Sequence, residues 1–328
     1  MARPHPVIFP YGTAATAEAA AVIRGGGLVA VPTETVYGLA ADATDAAAVA
    51  KIYAAKGRPS FNPLIVHVAD LAAAERIALF DADARALAAA FWPGPLTLVL
   101  PLRNDAGIAK LVTAGLDTIA IRVPRHRAMQ ELIAASGRPL AAPSANASGG
   151  ISPTRAAHVA ASLGDRVALI IDDGATEAGV ESTIVMGRTV LRPGPVTAEA
   201  LALQFPGGGR GPAGTTNVTE DGVHHGRPPI ENGSVTAPGQ LDSHYAPKKA
   251  LRLAALAAED DEWLIGFGAV AGDVSLSASG NLIEAAARLF DLLHAADANP
   301  AARIAVAPVP NDGIGAAIND RLRRAAHS

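Results

Sequence analysis

The chain has 328 residues, half of them apolar, with a formal net charge of -4 and no cysteine. That length exceeds the usual single domain of about 100–200 residues and predicts two domains. The missing cysteine excludes disulfides, thiolate nucleophiles and cysteine zinc sites, and 4% aromatic residues without a basic excess argue against nucleic acid as the main partner.

Cations and anions balance at 17 each through residue 205, so the net negative charge lies beyond it. Apolar residues are interspersed with glycine, proline and charge rather than gathered into the ~20-residue run that a membrane helix requires. The opening Met1-Ala2-Arg3-Pro4-His5-Pro6 lacks an apolar core and a small-residue cleavage site. No secretory signal is expected, and the expected compartment is the cytoplasm.

From Ala14 to Phe205 strand-like and helix-like runs alternate, an α/β pattern. An alanine-rich run to Arg24 stops at Gly25-Gly26-Gly27, after which Leu28-Val29-Ala30-Val31 reads as a buried strand. Pro32-Thr33-Glu34-Thr35-Val36-Tyr37-Gly38-Leu39 leaves that strand and reads as a capped turn. Ala46 to Lys56 has Val49, Ile52 and Tyr53 on one helical face; Leu64 to Val68 reads as a strand, and Asp83 to Phe91 as a helix stopped by Trp92-Pro93-Gly94-Pro95. Further strands are predicted at Leu96–Leu100, Thr118–Val123, Ala168–Ile171, Ser182–Met186 and Thr189–Leu191, with helices near His126–Ala135 and Thr154–Leu163. The short turn around Gly187 predicts a hairpin, which makes the twisted sheet mixed rather than purely parallel.

Pro206 to Gly239 is rich in glycine, proline, threonine and asparagine and has almost no apolar periodicity, the composition of a flexible linker. Beyond it, Trp263–Gly266, a helix from Asn281 to Ala296, Ile304–Ala307 and a helix from Ile314 to Arg324 predict a small second α/β unit.

The chemistry concentrates in a few polar stretches. Lys56-Gly57-Arg58 closes a helix, where cations are commonly solvated at the negative end of the dipole. The following Pro59-Ser60-Phe61-Asn62-Pro63 stiffens the loop and favours a preorganised positive site for a polyphosphate. Ser144-Ala145-Asn146 leaves the strand-like Pro139–Ala142 and runs toward Ser152-Pro153-Thr154, read as a helix start with free N–H groups; the alternative is an ordinary polar turn. His67, alternating within a strand, reads as an interior histidine with its hydrogen bonds satisfied, and Ser182 as a polar strand start. Arg122, at the end of an apolar strand, needs a partner, which is either a protein carboxylate or a substrate carboxylate. Arg192, before the stiff Pro193-Gly194-Pro195, has the same two readings.

In order, Pro32–Leu39, Lys56-Gly57-Arg58-Pro59, Asn62–His67, Trp92-Pro93-Gly94-Pro95-Leu96-Thr97, Ala142–Asn146 and Leu191–Pro195 closely resemble the YrdC-like threonylcarbamoyl-AMP synthase family. Asp242-Ser243-His244-Tyr245-Ala246-Pro247 resembles the signature of its long, two-domain form. The resemblance implies a YrdC-like twisted mixed open sheet with flanking helices in residues 1–205, the catalytic domain. It further implies a linker and candidate active-site lid at 206–247, and a Rossmann-like α/β domain at 248–328. The implied enzyme is a nucleotidyltransferase that condenses L-threonine, bicarbonate and ATP to threonylcarbamoyl-AMP and pyrophosphate, for later transfer to tRNA by other proteins. Magnesium would arrive on the ATP. Carried over by position, Thr33, His67, Arg122, Ala142 and Ser182 hold threonine. Lys56, Arg58, Asn62, Thr118, Ser144, Asn146, Ser152, Arg192 and Tyr245 surround ATP, with Lys56 and Arg58 as the catalytic cations. A non-catalytic double-stranded RNA-binding module is the alternative function.

Overall fold

The computed structural model describes residues 6–205, 224–225 and 244–327. The elements run β1 (Val7–Pro10), α1 (Thr13–Arg24), β2 (Val29–Pro32), β3 (Tyr37–Asp42), α2 (Ala46–Lys56), β4 (Ile65–His67), α3 (Leu71–Glu75), α4 (Ala82–Phe91), β5 (Leu96–Pro101), α5 (Lys110–Thr113), β6 (Thr118–Arg122), α6 (Arg127–Ser136), β7 (Leu140–Ala141), α7 (Ala156–Leu163), β8 (Leu169–Asp172), β9 (Thr183–Met186), β10 (Thr189–Arg192), α8 (Ala198–Ala202) and β11 (His224–His225). After these come β12 (Leu251–Arg252), β13 (Glu262–Gly266), β14 (Val274–Ser275), α9 (Leu282–Ala298), β15 (Arg303–Val306) and α10 (Gly315–Ala325).

β1 to β11 form one eleven-stranded mixed sheet in the order β1-β8-β2-β3-β7-β4-β6-β5-β9-β10-β11. The β9–β10 hairpin is present, antiparallel as its short turn predicted. Side chains alternate across the sheet with the strand period of two. Ala30, Leu39, Ala41 and Val66 face one side, where Ile52 of α2, Leu87 of α4 and Val159 of α7 cover them. Val29, Val31, Ala40 and Leu140 face the other, beneath Ile23 of α1 and Met129 and Leu132 of α6. Further along that second face lies a patch of Ile65, Val99, Ala120, Ile184 and Leu191, all from strands, with no helix residue among them. His67 and Arg122 follow Ile65 and Ala120 by two residues, so they project on this same side, and they pair across β4 and β6.

Two expectations needed correction. The capped turn read over 32–39 is confined to 33–36, where Thr33 Oγ1 accepts from the N–H of Thr35 at 3.1 Å and of Val36 at 3.2 Å, and Tyr37 already opens strand β3. The last helix before β8 begins at Ala156 rather than Thr154, and its first residue follows Arg155, whose side chain makes no capping bond.

β12, β15, β13 and β14 form a second, all-parallel sheet in that order. α9 and α10 cover it, and its core includes Phe290, Leu293, Ile304 and Ile318. Val36, Ile151 and Val180 from the first part of the chain, and Tyr245, belong to the same apolar cluster. The second unit is therefore packed on the first through shared core. Among the described residues no helix is long and apolar enough to cross a membrane.

Candidate active site

Two backbone devices bring the polar stretches together. β3 continues its antiparallel pairing past β7, with Leu39 N donating to Pro143 O at 2.7 Å and Ala145 N to Tyr37 O at 2.8 Å. Gly38 and Ser144 thereby bridge. An added Cβ at Gly38 would lie 3.3 Å from the Ala142 Cβ, so this close pairing leaves little room for a larger residue. The second device is the end of α2, where Gly57 adopts the left-handed conformation at φ 60° and turns the chain back.

Lys56 and Arg58 act differently after that turn. Lys56 Nζ donates to Ser144 O at 2.6 Å and to Asn146 O at 2.5 Å, while Ser148 N donates to Lys56 O at 2.7 Å. The ammonium thus ties down the loop carbonyls. Burial, with Arg58 and Arg166 adding to it, pulls its pKa well below the usual lysine value. Arg58 is anchored by Nε to Asn62 O at 3.1 Å and Nη2 to Pro63 O at 2.8 Å, and it lines the cavity. Burial lowers its pKa to about 10, which leaves it a cation at neutral pH.

Arg122 has a protein carboxylate as its partner. Its Nη2 lies 2.6 Å from Glu34 Oε1, Nη1 donates to Thr35 Oγ1 at 3.0 Å, and Nε donates to Gly94 O at 3.1 Å. Glu34 Oε2 accepts from the backbone N–H of Arg125 and His126. Arg192 instead grips Ser182, with Nε and Nη2 on its carbonyl at 3.1 and 3.0 Å and Nη2 on its hydroxyl at 3.1 Å. Ser182 Oγ also lies 2.8 Å from Thr97 Oγ1. His67 is not the satisfied interior histidine expected: its buried Nδ1 has no partner among the described residues. Burial, reinforced by Arg122, lowers its pKa to about 3, so the imidazole is neutral.

These groups surround one cavity, lined by Thr33, His67, Arg122, Ala142 and Ser182, and by Arg58, Ser144, Arg192 and Tyr245. Lys56, Asn62 and Asn146 stand behind the wall through the contacts above, or in Asn62's case through its carbonyl. Thr118 sits at the far end of β6 from Arg122, off the lining. The Ser152 hydroxyl is bonded to Glu181 Oε1, and with the helix starting only at Ala156, the stretch 152–154 offers no helix N-terminus for an anion. Sequence reasoning missed Thr35, Val36, Gly38, Ile65, Pro143 and Glu181 as lining residues. Several of these neighbour predicted ones, but Glu181 had no signal of its own beyond preceding Ser182.

Two properties mark the cavity as a binding site. The lining side chains of His67, His244 and Tyr245 carry buried polar atoms without a partner among the described residues, the kind of orphan that a bound ligand satisfies, and so do Asn62 and Asn146 behind the wall. Lys56, Arg58 and Arg192 are buried, at 3%, 9% and 5% exposure. Among the described residues none of the three has a carboxylate partner within ion-pair distance. Unpaired buried cations are costly, and an anionic ligand offsets that cost. No group of three or more potential metal ligands occurs among the described residues.

A mixed α/β sheet carrying a cationic cavity with buried walls defines an enzyme-type site for anionic substrates. Residues 21–194 match the model of the family of Sua5, YciO and YrdC proteins, described as "Telomere recombination", and residues 196–327 match "Threonylcarbamoyl-AMP synthase, C-terminal domain". The chain is 40% identical to the threonylcarbamoyl-AMP synthase of Bacillus subtilis, over 94% of this chain and 92% of that one. It is 38% identical to that of Pyrococcus abyssi, over 94% and 93%. The crystal structure of P. abyssi Sua5 complexed with L-threonine superimposes with a TM-score of 0.84 at 35% identity, covering 98% of this chain and 97% of the other. The chain belongs to the threonylcarbamoyl-AMP synthase family.

Proposed function

We propose that this chain condenses L-threonine, bicarbonate and ATP to threonylcarbamoyl-AMP and pyrophosphate, as a nucleotidyltransferase in tRNA modification. The observation that carries this reading is the convergence of buried, carboxylate-free Arg58 and Arg192 on one cavity whose Ser144–Asn146 wall is tethered by Lys56. Both reacting partners are anions, and their mutual repulsion is the first barrier. Fixed, buried cations offset it strongly. The amine of threonine and bicarbonate give a carbamate and water; a carbamate oxygen then attacks the α-phosphorus as the bond to pyrophosphate breaks. No side-chain nucleophile is needed, so positioning and charge supply the rate.

In this reading Thr33, His67, Arg122, Ala142 and Ser182 hold threonine, and a neutral His67 serves as a hydrogen-bonding wall rather than a charge. Arg122, already paired with Glu34, turns its remaining donors to the substrate carboxylate. Arg58, Ser144, Arg192 and Tyr245 face the nucleotide, Asn62, Thr118 and Ser152 lie around it, and Lys56 fixes the Ser144–Asn146 loop. Magnesium arrives on the ATP phosphates. Residues 1–205 form the catalytic domain and 248–328 the second, with 206–247 joining them. Cavity space amounts to about 50 Å³, room for a few waters but not for a nucleoside triphosphate. His244 and Tyr245 line it, and we assign them as a lid that withdraws to admit ATP and closes to keep water from the labile intermediates. The product passes to tRNA-modifying transfer proteins in the cytoplasm.

Incubating the purified protein with ATP, labelled bicarbonate and a panel of amino acids, and measuring pyrophosphate, tests the assignment. Threonine-dependent release is expected. Equal release with every amino acid, or none with threonine, refutes it.

A further inference from the structure

The largest fully buried side chain belongs to the second unit yet reaches the cavity wall of the first. Arg321, on α10, has no exposed surface. Its Nε donates to Glu181 Oε2 at 3.0 Å and Nη1 to Pro193 O at 2.6 Å, with Nη2 at 3.4 Å from Glu181 O. Asp320, beside it, accepts from Nη1 at 3.0 Å. The guanidinium carbon lies 5.5 Å from the centre of the Tyr245 ring, within cation–π range. Glu181 and Tyr245 line the cavity, and Pro193 follows Arg192, which also lines it; Arg321 itself does not.

One planar group therefore joins the Tyr245 ring to Glu181 and the Arg192–Pro193 turn, two segments already bonded to each other through Arg192 and Ser182. A guanidinium suits this task because its donors have fixed directions, whereas an ammonium offers a single point charge. The backbone nearby confirms how closely the units are pressed together. A Cβ at Gly179, two residues before Glu181, would come within 2.3 Å of Ala286 O in α9. Val180 lies in the apolar cluster of the second unit together with Tyr245 and Phe290. Glu181 is further set by Ser152, whose hydroxyl bonds its other oxygen.

We propose that Arg321 is a positioning residue for the active site: from the second unit it holds Glu181, the Arg192–Pro193 turn and the Tyr245 ring at once, and so sets the nucleotide side of the cavity. The threonine side is anchored mainly elsewhere: Arg122 by Glu34, Thr35 and Gly94, and Ser182 by Thr97 as well as by Arg192, none of them in direct contact with Arg321. Loss of the guanidinium geometry should thus act on ATP more than on threonine. The inference rests on the proposed adenylating function.

The test compares the full-length parent with Arg321→Lys, Arg321→Met/Glu181→Gln and Glu181→Gln. Steady-state pyrophosphate release is measured against ATP and against threonine, with a thermal melt of each protein. Arg321→Lys keeps the charge, and the double variant removes charge from both partners, so that no buried carboxylate is left without its counterion. The expected result is a rise of about tenfold in the ATP KM for Arg321→Lys, with a threonine KM within about twofold of the parent. Glu181→Gln should show the same split, and it decides the question if neither Arg321 variant folds. Parental KM values in all folded variants overturn the proposal. So does a fall in activity that merely tracks the fraction of folded protein, with the ATP KM unchanged. An inactive parent refutes the proposed function instead, which keeps the two failures distinct.

Discussion

Arg122 Nη2 lies 2.6 Å from Glu34 Oε1, and neither side chain is more than 4% exposed. Burial raises the Glu34 pKa, but Arg122 and the backbone N–H donors more than offset that, and the carboxyl is held below its usual value. The pair is thus charged, and it orients Arg122 from behind. Removing the anion would leave a buried cation alone with neutral acceptors.

Glu34→Ala should therefore destabilise the protein by about 3–5 kcal/mol, the usual cost of breaking a buried ion pair from one side. A urea midpoint close to that of the parent would show that the pair is not the buried contact described. Where the variant folds at low temperature, its threonine KM is expected to rise with it.

Lys56→Met should separate activity from stability. Lys56 is buried with only carbonyls as acceptors, so a shape-matched apolar side chain removes a desolvation cost while losing two hydrogen bonds. The melting temperature is expected to stay within a few degrees of the parent, or to rise. Pyrophosphate release should fall about 100-fold, because the Ser144–Asn146 loop loses its tether. Arg58→Met should lose activity to a similar degree with its fold intact, and a parental rate in either variant would contradict the assignment.

Buried His67 and His244 and half-buried His158 predict a pH dependence. Burial lowers His67 to about 3 and His158 to about 4, with Arg122 and His294 respectively adding to it, and it pushes His244 well below the usual value. Unfolded imidazoles take up protons near pH 6.5, so between about pH 6.5 and 4 the unfolded state binds more protons than the folded one. Stability should fall as pH drops through that window and level off above it. Urea midpoints at about pH 7.5, 6 and 5 check the sign, and a midpoint that rises on acidification would reverse it.

Ending the chain at residue 205 should do more than remove a lid. Val36, Ile151 and Val180 are buried in the cluster shared with Phe290, Leu293 and Ile318, so the truncation exposes them and leaves Glu181 without Arg321. The shortened protein is expected to bind a hydrophobic dye, to self-associate on size exclusion, and to lose synthesis. A monodisperse, fully active product would refute the interdependence of the units.

The sequence by itself determined the alternation of strands and helices and the mixed sheet with its β9–β10 hairpin. Those features are local: periodicity, glycine stops and stiff proline turns act within a few residues. It did not disclose β3, whose Tyr37–Asp42 run carries glycine and alanine in place of strand formers and exists because Leu39 and Tyr37 pair with the 143–145 backbone. Nor did it disclose that Lys56 grips carbonyls, that Arg122 already has Glu34, or that Arg321 reaches Glu181 from 140 residues away. A partner chosen across such a separation leaves no trace in either neighbourhood, since every buried arginine looks alike until packing decides which carboxylate it meets. Only the tertiary structure makes that choice, by packing α10 of the second unit against the cavity wall of the first.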